Sequence, residues 1–254
     1  MKQKVLLLLA LLFVSTSFSQ VAFLQYRNVP AEHEDKFVER ETKHWSKVAK
    51  AAIEKGQMTE WTLWRKVGVT NDEAPNYVFV NSFESLEQLD ANIWGTNMDA
   101  LGDVKPEDVE TNSFTKITFS YYIQLEAVLE GDYKYAIVNY AKPTNRGDFI
   151  AENKTLWKPF HETNIKNGTG MTSWGMSSVI YPRGNLARFS VFTWDGFNKL
   201  SDALNYLRYQ APPAEGEDSE PNPFAEILSK SKMNEILPDG FQYSIIYERV
   251  MTVN

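Results

Sequence analysis

The chain has 254 residues, no cysteine, and 33 Asp and Glu against 26 Lys and Arg, for a formal charge of −7. The missing thiols exclude disulfides, thiolate metal sites and covalent c-type haem attachment. The acidic balance, with no basic cluster along the chain, argues against nucleic acid and anionic lipid as partners, since both are held by grouped Lys and Arg.

The first residues, Met1-Lys2-Gln3-Lys4, are basic, and Val5 to Val14 is an uninterrupted apolar run ahead of the small residues Ser17 and Ser19. This is the pattern of a secretory signal peptide over 1–19, cut after Ser19. The run is about half the length a bilayer span needs, so no membrane anchor is expected. The expected destination is the periplasm or the extracellular space.

From Gln20 onward the same order of elements is read twice. A strand over Val21–Asn28 leads to a helix entered near Pro30. Phe37, Glu41, Trp45, Val48, Ala49, Ala52 and Ile53 fall at helical spacing, and only Glu41 breaks the apolar stripe. Gly56 stops that helix, strands follow at Met58–Val67 and Tyr77–Phe83, a second helix begins after Phe83, and a strand at Thr115–Glu126 ends the set. The second set starts with a strand at Tyr133–Tyr140 and a helix entered near Pro143, which Pro159 is expected to kink or end. Strands at Met171–Tyr181 and Arg188–Trp194 follow, then a helix after Trp194 and a last strand at Gln242–Val250. An insert opens with the proline- and acid-rich loop Gln210–Pro223 and continues as a helix to about Leu237; it is either a surface excursion or a lid.

Blocks recur in order between the sets. Phe37 to Trp45 matches Phe149 to Trp157, Gly56 matches Gly168, and Met58-Thr59-Glu60-Trp61 matches Met171-Thr172-Ser173-Trp174. Val80 to Phe83 is set against Val191 to Trp194, and Tyr26 opposite Asn139. A diverged duplication is the expected origin, with units at 20–130 and 131–254. The order βαββαβ in each unit is the ferredoxin-like one. The expected fold class is therefore α+β: two tandem ferredoxin-like units packed sheet to sheet as an intrachain barrel, either a monomeric pseudo-dimer or a homo-oligomer.

The duplicated unit, with Ser190-Val191-Phe192-Thr193-Trp194-Asp195-Gly196-Phe197 as its most suggestive stretch, resembles the dimeric α+β barrel superfamily over nearly all of the mature chain. That resemblance implies a cleft lined by sheet and helices, and a range of activities rather than one. Members include cofactor-free monooxygenases of the antibiotic-biosynthesis type, haem-degrading monooxygenases, and haem-binding chlorite dismutase-like and dye-decolorising peroxidases. For the haem-degrading branch, Asn139 and Trp194 match two of three functional positions, but Asn198 to Gln210 holds no histidine for the third. For the chlorite dismutase-like branch, His161 is the candidate axial ligand.

Other motifs are missing. His33-Glu34 lacks a second histidine four residues on, no Gly-x-Ser-x-Gly or phosphate loop occurs, and Gly168-Thr169-Gly170 lies between helix and strand in the wrong order for a dinucleotide. The aromatic residues are the remaining signal: Trp61, Trp64, Trp174 and Trp194 with Tyr26 and Tyr140 either fill a core or line an apolar cavity. The candidate ligand-binding residues are Asn139, Tyr140, His161, Trp174, Arg188 and Trp194; no metal site is expected, and no cofactor except haem through His161. The expected function is capture of a small apolar or aromatic ligand in a barrel cleft. The alternatives are a cofactor-free or haem-dependent oxidoreductase and a structural or interaction protein, and the sequence leaves open whether the chain is an enzyme.

Overall fold

The computed structural model describes residues 20–68, 73–208 and 223–254. Residues 1–19, expected as a leader, and nearly all of the loop expected in the insert lie outside them. The strands are β1 (Val21–Asn28), β2 (Glu60–Lys66), β3 (Tyr77–Phe83), β4 (Lys116–Leu129), β5 (Tyr135–Ala141), β6 (Met171–Tyr181), β7 (Val191–Phe197) and β8 (Tyr243–Val253). They form one closed barrel in the order β1-β3-β2-β8-β5-β7-β6-β4, and every neighbouring pair is antiparallel.

This corrects the expected fold class: the chain is not two ferredoxin-like sheets stacked face to face. An open sheet leaves unpaired N–H and C=O groups along its edge strands. Here those edges pair with each other. β4 runs for 14 residues, long enough to pair with β1 through one stretch and with β6 through Tyr122–Leu129. β8 bonds to both β2 and β5. Closure therefore comes from backbone hydrogen bonds and needs only one chain.

Helices coat the outside. In the first half these are α1 (Glu34–Arg40), α2 (Ser46–Glu54), α3 (Ile93–Thr96) and α4 (Pro106–Val109); in the second they are α5 (Arg146–Glu152), α6 (Lys158–Lys166), α7 (Leu200–Leu207), α8 (Pro223–Lys230) and α9 (Met233–Ile236). The helix expected after Phe83 is instead broken into short turns, and the insert helix is split between α8 and α9. Single π-helical turns, Glu41–Trp45 and Asn153–Trp157, join α1 to α2 and α5 to α6. Pro159 is the second residue of α6, where a missing N–H is tolerated, so the helix continues past it. Among the described residues no helix is long and apolar enough to cross a membrane.

Because side chains alternate across a strand, each strand feeds two layers. Phe37, Ala49, Ala52, Trp61, Leu63 and Phe79 pack beneath the first-half helices, and Ile137, Phe149, Trp174, Met176, Val191 and Phe197 pack beneath the second-half ones. The barrel interior holds a third cluster that includes Leu24, Tyr26, Trp64, Tyr121, Tyr140 and Tyr247.

Candidate functional site: a cavity inside the barrel

The interior is not filled. A cavity of about 440 Å3 runs into the barrel, within the usual size range for small-molecule pockets. Ala22, Leu24, Val78, Val80, Ala136 and Val138 supply small or branched apolar walls, and the larger aromatics stand among them. Gln20, Thr59, Glu60, Ser82 and Glu130 line the same cavity at the ends of strands or beside them, and Leu125 lines it from within β4. The opposite end is closed by rings: Tyr26 on Phe119 at 4.3 Å, Tyr121 on Phe189 at 4.3 Å, and Tyr140 against Phe189 at 4.6 Å.

Two aromatic walls are seated on glycines. A Cβ on Gly175 would lie 2.0 Å from Trp194 Cζ2, so the indole lies directly over the bare backbone of β6. A Cβ on Gly196 would lie 2.7 Å from Tyr133 Cγ. Trp64 stacks on Tyr133 at 5.6 Å and 20°. The Trp194 indole N–H is buried without a hydrogen-bond partner. The Tyr133 hydroxyl is close enough to feel it, but the two groups lack hydrogen-bond geometry; burial dominates at Tyr133 and pushes its pKa up to about 12.

Three further hydroxyls meet inside the barrel. Tyr26 Oη lies 3.0 Å from Tyr140 Oη, and Tyr140 donates to Tyr247 Oη at 3.3 Å. Burial raises all three phenol pKa values well above the ordinary one, so each hydroxyl keeps its proton.

The six sequence candidates divide between two faces of the sheet. Tyr140 and Trp194 line the cavity. Arg188 belongs to the loop before β7; its backbone N–H donates to Tyr121 Oη at 2.8 Å and its guanidinium lies 4.6 Å from the Phe119 ring centre, at the closed end. Asn139, Trp174 and His161 lie on the far side, under the second-half helices. There the Asn139 amide donates to Asp195 Oδ2 at 2.9 Å, and its oxygen accepts from Ser244 Oγ at 2.6 Å. Asp195 is 3% exposed, and burial raises its pKa to about 7 against the Asn139 hydrogen bond.

His161 stacks on Trp174 at 5.3 Å and 17°, with Trp157 at 6.3 Å, and burial lowers its pKa to about 4. Its Nδ1 is buried and unpaired, but neither of the two main cavities among the described residues reaches it. An axial haem ligand needs an open space beside the ring for the macrocycle. Packed between indoles, His161 does not fit that role.

The register expected between the two halves is also corrected. Tyr26 pairs with Val78 as Tyr140 pairs with Phe192, and Phe83 ends β3 as Phe197 ends β7. Tyr26 therefore corresponds to Tyr140, its hydrogen-bonding neighbour, rather than to Asn139. Trp194 corresponds to Val80, inside the barrel, rather than to Phe83.

Sequence reasoning missed Tyr133, Tyr247 and Asp195 as parts of either site. Glu41 did leave a signal, as the one polar side chain in the apolar stripe. It is 5% exposed, accepts from Thr111 Oγ1 at 2.7 Å, and is raised to about 7 by burial. Arg27 donates to the same Thr111 hydroxyl at 3.1 Å.

No protein-family model matches the chain, and no curated protein matches its sequence. Solved structures do match in fold. An anthrone oxidase-like protein aligns over 94% of both chains with TM-score 0.56 and 14% identity. A monooxygenase-like protein from Lactobacillus acidophilus NCFM aligns over 93% of this chain and 96% of its own, with TM-score 0.53 and 9% identity. A mutant chlorite dismutase of Candidatus Nitrospira defluvii, in complex with cyanide, aligns over 92% of both, with TM-score 0.50 and 9% identity. At such identities the likeness is one of fold alone.

Proposed function

We propose that this is an exported protein that binds a small apolar or aromatic ligand inside its barrel. The observation that carries the reading is the semi-enclosed cavity of about 440 Å3 whose aromatic walls, Trp194 and Tyr133, rest on Gly175 and Gly196. Close packing is the norm in protein interiors, and a roomy apolar space lined by rigid rings is what a ligand site needs. Native mass spectrometry of protein recovered from an exported fraction tests it: excess mass lost on denaturation is the expected result. Ala136→Phe, which fills the cavity from β5, should abolish that excess while leaving the circular dichroism spectrum unchanged. Protein at its bare sequence mass that also fails to bind any aromatic probe would sink the reading.

A second reading makes the chain a cofactor-free oxidoreductase. It is favoured by neighbours named as oxidase-like and monooxygenase-like, and by Trp194, whose indole lines the cavity where an aromatic substrate would sit. Oxygen uptake with an aromatic substrate, measured at an oxygen electrode and lost in Trp194→Phe, is the expected sign. Uptake that survives the substitution would remove Trp194 from the chemistry.

A further inference from the structure

The charge and hydrogen count of the cavity wall narrow the ligand class. Among the described residues lining it there is no Lys, Arg or His, while Glu60 and Glu130 stand among them. Arg249, whose guanidinium lies 5.9 Å from the Tyr133 ring centre, is paired with Asp132 at 2.6 Å, so its charge is already answered. An anionic group entering this space would lose its hydration, gain no cation and face two carboxylates. Burial of an unpaired charge is among the most unfavourable events a binding site can impose.

The donors are in surplus. Tyr140 has one hydroxyl hydrogen and gives it to Tyr247, so the short contact with Tyr26 must be an O–H of Tyr26 pointing at Tyr140. Three hydrogens then serve two links, and the Tyr247 hydrogen has no acceptor among the described residues. Since burial keeps these phenols protonated, that hydrogen cannot be lost to relieve the mismatch. The Trp194 N–H in the same wall is also unpaired. A buried donor without a partner is unfavourable until something supplies a lone pair.

We infer that the cavity selects an uncharged aromatic compound carrying a hydrogen-bond acceptor such as a ketone or quinone oxygen, which accepts from the Tyr247 hydroxyl while the rings stack among Trp64, Tyr133 and Trp194. This rests on the binding function proposed above and assigns its ligand class. The acceptor supplies the missing partner at the inner end, and the carboxylates near the opening turn away acids of the same shape.

Isothermal titration of the purified protein with three probes tests the assignment: 1-tetralone, tetralin (the same skeleton without the oxygen) and the 6-carboxylate of 1-tetralone. The expected order is 1-tetralone about tenfold tighter than tetralin, as for one buried hydrogen bond, with the carboxylate weaker than 1-tetralone by at least about tenfold. Tyr247→Phe, which keeps the ring, should bring 1-tetralone to within about twofold of tetralin and leave tetralin unchanged. Equal binding of ketone and hydrocarbon, or a carboxylate that binds as well as the ketone, would overturn the ligand class while leaving the cavity a binding site. Failure of all three to bind would overturn the class and the binding function together.

Discussion

Gly175→Ala is expected to destabilise the protein by about 2–3 kcal/mol, the upper part of the range for an overpacked interior. The added methyl would sit 2.0 Å from Trp194 Cζ2 and 2.3 Å from Cη2, closer than carbon atoms approach. The indole cannot retreat freely, because Phe192 and Tyr133 occupy the same interior, and the backbone of β6 is bonded on both sides, to β4 and to β7. Strain is therefore shared between a displaced ring and a bent strand. The urea midpoint should fall with no change in slope, and ligand affinity should fall with it because the displaced indole enters the cavity. In a Trp194→Leu background the same Gly175→Ala change should cost less than about 0.5 kcal/mol, and that non-additivity is the signature of direct contact. Equal losses in both backgrounds would show that Gly175 matters for backbone reasons alone.

The second large effect is on pH dependence. Asp195 has an ordinary pKa of 3.8 when unfolded and about 7 in the fold, because burial without a cation disfavours its charged form. A folded pKa above the unfolded one means the folded protein holds the proton longer. Stability should therefore fall as pH rises from about 4 to 7, with the loss complete above that window. The ionised carboxylate at pH 8 costs about 4 kcal/mol on this reckoning. Glu41 moves from 4.5 to about 7 for the same reason and adds about 3 kcal/mol in the same direction.

His161 acts oppositely. Its lowered pKa means the unfolded chain takes up a proton first, so stability should fall as pH drops from 6.5 to 4. With two carboxyls against one imidazole, the net slope between pH 4 and 7 is negative. Asp195→Asn, whose amide can still accept from Asn139, should raise the melting temperature at pH 8 and leave it nearly unchanged at pH 4. Melting temperatures across that range check the result, and an Asn variant no more stable than the parent at pH 8 would mean that water or a cation reaches Asp195.

Much of the fold was legible because hydrophobic periodicity is local. All eight strands and the paired long helices follow from alternation or helical spacing near the expected places, as at Tyr77–Phe83, found without displacement. The helix after Phe83 failed for an instructive reason. Met98, Leu101 and Val109 occur at workable spacing, but Gly95, Gly102 and Pro106 divide them, and packing on Val48 and Trp45 settled the stretch into short turns. The candidate site was half legible. Tyr140 and Trp194 were named, but so were Asn139, Trp174 and His161, which point away from the cavity.

The sequence by itself determined the order of strands and helices along the chain, the absence of thiol chemistry and the residue types available to a site. Tertiary structure decided closure of the barrel, which side of each strand became its interior, and that Tyr26 meets Tyr140. The reason lies in register. A one-residue slip exchanges the two faces of a strand, and register is set by partners far apart in the chain, such as β2 with β8 and β4 with β6. No local pattern records which distant edge a strand will find, and the cavity exists only because those edges found each other.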